Sequence, residues 1–374
     1  MKPPSPSSTV ERTTSGEIVS IPAKMNYVTR KSKCACTLKL LLIDIDGSLC
    51  SPFNHFFLPC IYALSGEAET KIITSKRSLT GTDAPLTGAE WAPTECRIHN
   101  ARDARMSLHR NGFELRHHKL QNADIDFFDQ DEVVEKYYPE CEKLLAEALV
   151  AKDGDADERA FTVRAFDHNV RSTQSDSREM KNSSGGTVQT PVDVVHGDYT
   201  KISAPRRIQD MTLPPKQNDV MRGRLGGEDA SLLDQDEVAE AVEGKRRYAL
   251  INVWRNIRRS EPMLQYPLAC VDAASVNSAD LRTFQIHYSD RIGENYFFAK
   301  GRGQQHWFFF PQMTFDEAML IKQWDSHGGI AKGCDTDQEG GSTFAIHSSL
   351  LDPTASADVK RESIEVRCCV IWDA

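Results

Sequence analysis

Apolar residues change their spacing along this chain, and the changes mark where one kind of element gives way to another. From Asp131 to Val150 (DEVVEKYYPECEKLLAEALV) they recur at three and four positions with acids at the start, which predicts an amphipathic helix. A short acidic helix is expected near Asp234 to Glu243. Beyond it come short apolar runs of strand length: Tyr248–Trp254, Leu268–Asp272, Phe284–Tyr288, Asn295–Lys300, His306–Phe310 and Ile364–Trp372. Thr314–Trp324 (TFDEAMLIKQW) reads as a helix, with Thr314 as N-cap and acids in its first turn.

Polar stretches separate these runs. STQSDSREMKNSSGGT, from Ser172 to Thr187, is expected to be a loop or a mobile lid, and Gln209 to Gly227 is a second polar connection; such long stretches either cover a substrate or are plainly disordered. Many short strands with few helices predict a mainly β chain with flanking helices around a double-stranded β-helix, the cupin-like jelly roll. Residues 1–90 form a poorly defined N-terminal segment, opening with a flexible lead-in to about residue 37. Residues 91–374 are expected to make a single jelly-roll domain with N-terminal helical support.

The chain has 374 residues, 45 basic and 54 acidic, for a net charge of -9. No long basic run follows, so nucleic acid is not an expected partner. The most apolar stretch, Leu38 to Leu64, is broken by Asp44, Asp46, Asn54 and Pro59, which argues against a membrane span. The N-terminus, MKPPSPSSTVERTTSGE, lacks the apolar centre of a secretory signal. The ten cysteines form no C-x-x-C pairs. Free thiols in a cytoplasmic protein are therefore expected, with a homodimer as one assembly it could form.

The chemistry concentrates in Val194–Thr200 (VVHGDYT). On an extended strand His196 and Asp198 project from the same face, the spacing that supplies two of the three ligands of a ferrous oxygenase site. A bare H-x-D is more often a surface turn, so a third ligand is needed. His347, in FAIHSS, is the candidate, since a jelly roll brings early and late strands together. Arg361 and Ser363 repeat the two-residue spacing at the start of an apolar strand. A guanidinium fork with a neighbouring hydroxyl suits the distal carboxylate of 2-oxoglutarate. Arg255, at the end of the NVWR strand, is a further candidate for a co-substrate carboxylate. His168 and Arg171 are read as packing residues, and Arg367 as structural with a weaker claim as a second anchor.

Several blocks in order carry a resemblance: FDHNVR (Phe166–Arg171), VVHGDYT, INVWRNI (Ile251–Ile257), PLACVDAASV (Pro267–Val276), HWFFFPQMTFDEAMLIKQWDS (His306–Ser326) and RESIEVR (Arg361–Arg367). The chain resembles the fungal hydroxylase/desaturase family of specialised metabolism, the gibberellin desaturase-like and cephamycin methoxylation protein-like proteins, over about Trp91 to Trp372. The resemblance implies an Fe(II)/2-oxoglutarate-dependent dioxygenase, using O2, that hydroxylates or desaturates a small natural-product intermediate. It implies His196, Asp198 and His347 as iron ligands and Arg361 with Ser363 as co-substrate anchor. Asn256 stands where the family has a proline. Residues from about Cys34 to Leu86 have no recognised counterpart, and 38–90 is a candidate inserted stretch arising from a translated intron or a mis-set exon boundary.

Two other readings remain at this point. LLLIDIDGS (Leu40–Ser48) resembles the first motif of haloacid-dehalogenase-like phosphatases, with Asp44 as nucleophile and Asp46 as general acid/base. The downstream lysine and acidic cluster of such an enzyme are not evident. A jelly-roll binding protein without catalysis would be expected to have lost its metal ligands.

Overall fold

The computed structural model describes residues 11–12, 18–28, 73–76, 91–150, 159–173, 188–287, 291–298, 305–350, 352, 356 and 359–374. Two sheets face each other among these residues. The smaller takes, in spatial order, β5 (Phe113–His117), β13 (Glu317–Asp325), β8 (Tyr248–Asn256), β15 (Glu362–Trp372) and β6 (Phe161–Ser172), all antiparallel. The larger runs β1 (Glu11–Arg12), β2 (Ile18–Val28), β4 (Trp91–Asn100), β12 (Trp307–Phe309), β9 (Leu268–Val271), β14 (His347–Ser349), β7 (His196–Gly197), β11 (Ile292–Phe298), β10 (Leu281–His287) and β3 (Ile73–Lys76).

Every residue of β8 is buried, because the smaller sheet is covered on both faces. Tyr248 and Leu250 point between the sheets, into a core shared with Val271, Phe298, Trp307, Trp324 and Phe344. Ala249, Ile251 and Val253 point the other way, onto α1 (Tyr138–Val150), where Cys141, Leu144 and Leu145 meet them. A strand buried on both faces loses the alternation of a half-buried one and reads as a continuous apolar run. The expected helix at Asp131–Val150 is present, entered through a π-helical turn at Val133–Tyr137. α2 (Ser203–Asp210) follows the His-Asp motif, and α3 (Gln235–Val242) starts at Asp234, whose carboxylate accepts from the Asp236 and Glu237 amides.

One sequence expectation is overturned. Thr314–Trp324 is no helix; Glu317–Asp325 is β13, paired with β5 on one side and β8 on the other. The local start signal is real, since the Thr314 amide and hydroxyl both donate to the Glu317 carboxylate. Beyond it, burial on both faces and a bulge between Lys322 and Trp324 produce apolar spacing that mimics a helix. Ile18–Val28, read as part of the lead-in, is a strand whose residues Ser20 to Val28 pair with β4. Most of the loop at Ser172–Thr187 and the Asp44-Asp46 motif lie outside the described residues. Among the described residues, no helix is long and apolar enough to cross a membrane. Cys96, Cys141, Cys270, Cys334, Cys368 and Cys369 are free thiols.

Beneath α1, Tyr138 Oη lies 3.0 Å from His168 Nδ1, so His168 has the packing role expected of it. Burial pushes this imidazole down to about 4, Asp167 pulling it up and Arg367 pushing it further down. The unfolded chain therefore takes up a proton below its ordinary value of 6.5 that the folded chain refuses. Stability from this group is complete above pH 6.5 and lost as pH falls toward 4, by roughly 3 kcal/mol in all. Urea unfolding at pH 7 and pH 4.5 should show the loss, and His168→Gln should reduce it.

Candidate metal and co-substrate site

The two histidines come from neighbouring strands of the larger sheet. β14 and β7 pair antiparallel with His347 directly opposite His196, so both side chains leave the same face, and their ring centroids are 4.5 Å apart. Asp198 follows two residues after His196, its Oδ1 3.6 Å from His196 Nε2. Gly197 between them lets the chains approach, since a Cβ there would stand 3.2 Å from Ile346 Cδ1. One ligand atom from each of His196, Asp198 and His347 lies within 4.8 Å of the others. The spacing argument at residues 196 and 198 and the late histidine thus converge on one point.

The protonation pattern suits a divalent cation. His196 Nδ1 lies 2.7 Å from the Val194 carbonyl and His347 Nδ1 3.0 Å from that of Ala345. A carbonyl only accepts, so each Nδ1 carries a proton and each Nε2 is turned toward the shared centre. Burial, then the neighbouring His347, push His196 down to about 4, leaving it neutral near pH 7. Burial raises the Asp198 carboxyl, but Arg367, the two histidines and the Asn252 amide outweigh it and hold the group below the usual carboxylate range. Two imidazoles and one carboxylate on one face form the donor set of a non-haem ferrous centre with open positions.

Arg361, immediately before β15, and Ser363, on its inward face, come together as their spacing implied. Arg361 is fully buried, its guanidinium 5.3 Å from the Trp254 ring. Nε and Nη2 donate to Ser363 Oγ at 3.2 and 3.1 Å, and Nη1 donates to the Tyr266 carbonyl at 2.7 Å. Among the described residues no carboxylate lies within ion-pair distance of it. Burial, with the like charge of Arg171, lowers its pKa to about 9. A buried cation without an anion is costly, and the residue that holds it by its carbonyl, Tyr266, is itself at φ 49°. The cost is understandable if a ligand carboxylate completes the pair.

Arg255 does not join this group. It falls on the other parity of β8, under α1, where it donates to Tyr137 Oη at 3.1 Å and to the His118 and Phe315 carbonyls, and meets His118 Nδ1 at 2.7 Å. Its role is structural, because strand parity turns it to the outer face. Arg367 faces inward, yet it ties Asp167 and Glu365 and stands 3.9 Å from Asp198 Oδ2, so its charge is already engaged by carboxylates of the chain. Arg171 Nη1 donates to the Thr190 carbonyl at 2.9 Å.

Sequence reasoning missed Asn252 and Gln323. Asn252 Nδ2 donates to Asp198 Oδ2 at 3.2 Å, and Gln323 Oε1 accepts from the Asp198 amide at 3.4 Å. The signal available was a carboxamide in the middle of an otherwise apolar strand, which has to find a polar partner once buried.

Comparison with known proteins extends this picture. The family described as "Oxidoreductase/YMDC permease-like domain" matches residues 62–226 and 230–371. The chain belongs to this family. It is 34% identical over 181 residues to an uncharacterized protein in the dcmA 3' region of Methylophilus leisingeri, covering 48% of this chain and 79% of that one. It is 26% identical over 277 residues to the alpha-ketoglutarate-dependent dioxygenase phiK of a fungal species, covering 74% and 83%. Other fungal relatives are named hydroxylase/desaturase, in agreement with the resemblance carried by the sequence blocks. The iron and alpha-ketoglutarate-dependent endoperoxidase NvfI superposes with a TM-score of 0.60 at 18% identity, over 95% of this chain and 99% of that one. That likeness shows the jelly-roll fold. The family match begins at residue 62, inside the stretch for which no counterpart was recognised.

Proposed function

We infer that this family member is an Fe(II)/2-oxoglutarate-dependent oxygenase in which His196, Asp198 and His347 hold the metal and Arg361 with Ser363 holds the co-substrate. The observation that carries the reading is the convergence of two imidazoles, each held through Nδ1 by a backbone carbonyl, and a carboxylate within 4.8 Å. The enzyme is a non-haem dioxygenase acting on a small molecule, a hydroxylase or desaturase of natural-product metabolism like its fungal relatives.

Fe(II) bound at this triad would supply the activation of O2 that is coupled to oxidative decarboxylation of 2-oxoglutarate to succinate and CO2. The chain's part is placement. The Nδ1 bonds to Val194 and Ala345 fix both rings so that their Nε2 atoms point to one centre. Arg361 offers its buried charge to the far carboxylate of the keto acid, and Ser363 Oγ, which accepts from Arg361, still has its own proton to donate. Trp254 lies under the guanidinium and shields it from water, which strengthens the pairing. Holding co-substrate and metal in fixed relation is worth more to the rate than any proton the side chains move.

Anaerobic addition of Fe(II) and 2-oxoglutarate should produce the weak visible charge-transfer band of a metal-bound keto acid. Its absence would remove the reading. Neither alternative gains support, since the relatives are dioxygenases and the Asp44-Asp46 motif lies outside the described residues.

The proposal extends to a cytoplasmic enzyme that binds neither nucleic acid nor membrane, in line with the net charge of -9, and to a homodimer as its assembly. Size-exclusion with light scattering tests the dimer. Residues 91–374 are proposed as one oxygenase domain, with β2 and β3 from the N-terminal segment added to its larger sheet. Peptide mapping that recovered native fragments from Leu40 to Lys71 would reject an exon-boundary error in 38–90.

A further inference from the structure

The three groups that touch Asp198 from across the sandwich all come from the smaller sheet, whereas the metal-binding histidines belong to the larger one. Asn252 is on β8, Gln323 on β13 and Arg367 on β15. Asn252 pairs in register with Ile321, and the bulge after Lys322 turns Gln323 inward beside it. The contacts on the carboxylate are one-sided. Oδ2 accepts from Asn252 Nδ2 at 3.2 Å and stands 3.9 Å from Arg367 Nε, while Oδ1 faces His196 Nε2 at 3.6 Å. Arg367 is held in turn by Asp167 and Glu365.

Asn252 and Gln323 are both fully buried, and each leaves one polar atom without a partner: Asn252 Oδ1 and Gln323 Nε2. Among the described residues only Arg258 Nε and Gln285 Oε1 share that state. Apolar side chains would pack these positions without orphaned atoms, so the carboxamides answer a need other than core stability.

We propose that Asn252, supported by Arg367 and Gln323, is a positioning bracket that reserves Oδ2 of Asp198 and leaves Oδ1 alone to bind the metal. The bracket keeps the carboxylate from chelating through both oxygens, which would occupy a position needed by co-substrate or O2. It also ties the carboxylate ligand to the sheet that carries Arg361 and Ser363, so metal and co-substrate anchor share one rigid frame. Gln323 acts one bond further away, fixing the Asp198 backbone through its amide.

This inference rests on His196, Asp198 and His347 being the metal site, and its test separates the two. Co(II) added to the purified full chain under argon reports affinity through its visible absorption. Infrared difference spectra with and without Co(II) report how the carboxylate binds, since a chelating carboxylate has a smaller gap between its two stretches than one bound through a single oxygen. Asn252→Ala should weaken Co(II) about 10–100-fold, the range typical of an outer-shell partner, and narrow the gap. Gln323→Ala should weaken it by a smaller factor. Asn252→Ser, which keeps a donor, should fall between wild type and Asn252→Ala, and replaces the alanine variant if that does not fold. A merely structural role would lower the melting temperature and leave affinity and spectrum unchanged. If wild type binds Co(II) in a manner lost in His196→Ala, yet Asn252→Ala, or Asn252→Ser in its place if the alanine variant does not fold, binds within twofold of wild type with the same spectrum, the bracket is overturned and the metal site stands. If wild type shows no His196-dependent binding, the metal reading fails and the bracket with it.

Discussion

His347→Ala should bind Fe(II) more weakly than wild type by more than about 100-fold, beyond the upper end of what an outer-shell partner costs. The charge-transfer band with 2-oxoglutarate should vanish with it. His347 and His196 face each other across the β14–β7 pair, and with Asp198 they bring three ligand atoms within 4.8 Å of one another. Removing one leaves two ligands, which cannot define a facial site. The variant should still fold, because among the described residues the one hydrogen bond of the His347 side chain is the local one to the Ala345 carbonyl. Equal far-ultraviolet circular dichroism together with absent metal binding, read by anaerobic titration, is the expected result. Retained binding would show that the imidazole is a packing residue.

Arg361→Leu should have the second largest effect, and on a different quantity. Fe(II) binding should persist, while the affinity for 2-oxoglutarate drops roughly 100-fold or more, given that losing one partner of a buried charge-assisted pair costs about 2–5 kcal/mol. Arg361→Lys should recover little of it, since a point charge cannot reproduce the fork. Without co-substrate the leucine variant should be no less stable than wild type. Among the described residues the buried guanidinium hydrogen-bonds only to a hydroxyl and a carbonyl, and burial already drives its pKa down to about 9. Titrating the charge-transfer band and melting the metal-free protein measure the two effects separately. Unchanged 2-oxoglutarate affinity would move the anchor elsewhere.

Both predictions concern residues whose candidacy is legible in the amino-acid sequence. H-x-D on an extended segment and R-x-S at a strand start carry their meaning in their spacing, because alternation along a strand decides which side chains share a face. The blocks from FDHNVR to RESIEVR fall on strands β6, β7, β8, β9, β12, β13 and β15, and strand character at β8, β9, β10, β11, β12 and β15 could be read from apolar run length. Arg255 shows where such reading stops. In NVWR its position beside the motif suggested the site, but it has the parity of Ile251 and Val253 and is turned under α1. Asn252 and Trp254, on the opposite parity, face Asp198 and Arg361 instead.

Local sequence by itself determined the amphipathic helix at α1, the cap of α3 by Asp234, most strand positions, and the pairwise spacings that project His196 with Asp198 and Arg361 with Ser363 onto common faces. These depend on backbone geometry over a few residues. Tertiary structure alone decided that Glu317–Asp325 is a strand, since burial by two sheet neighbours overrides a local helix start. It alone decided that His347 stands opposite His196, that Arg255 faces away, and that Asn252, Gln323 and Arg367 grip Asp198 from the other sheet. Those facts depend on register between strands distant in sequence, and register is set by the packing of the whole sandwich.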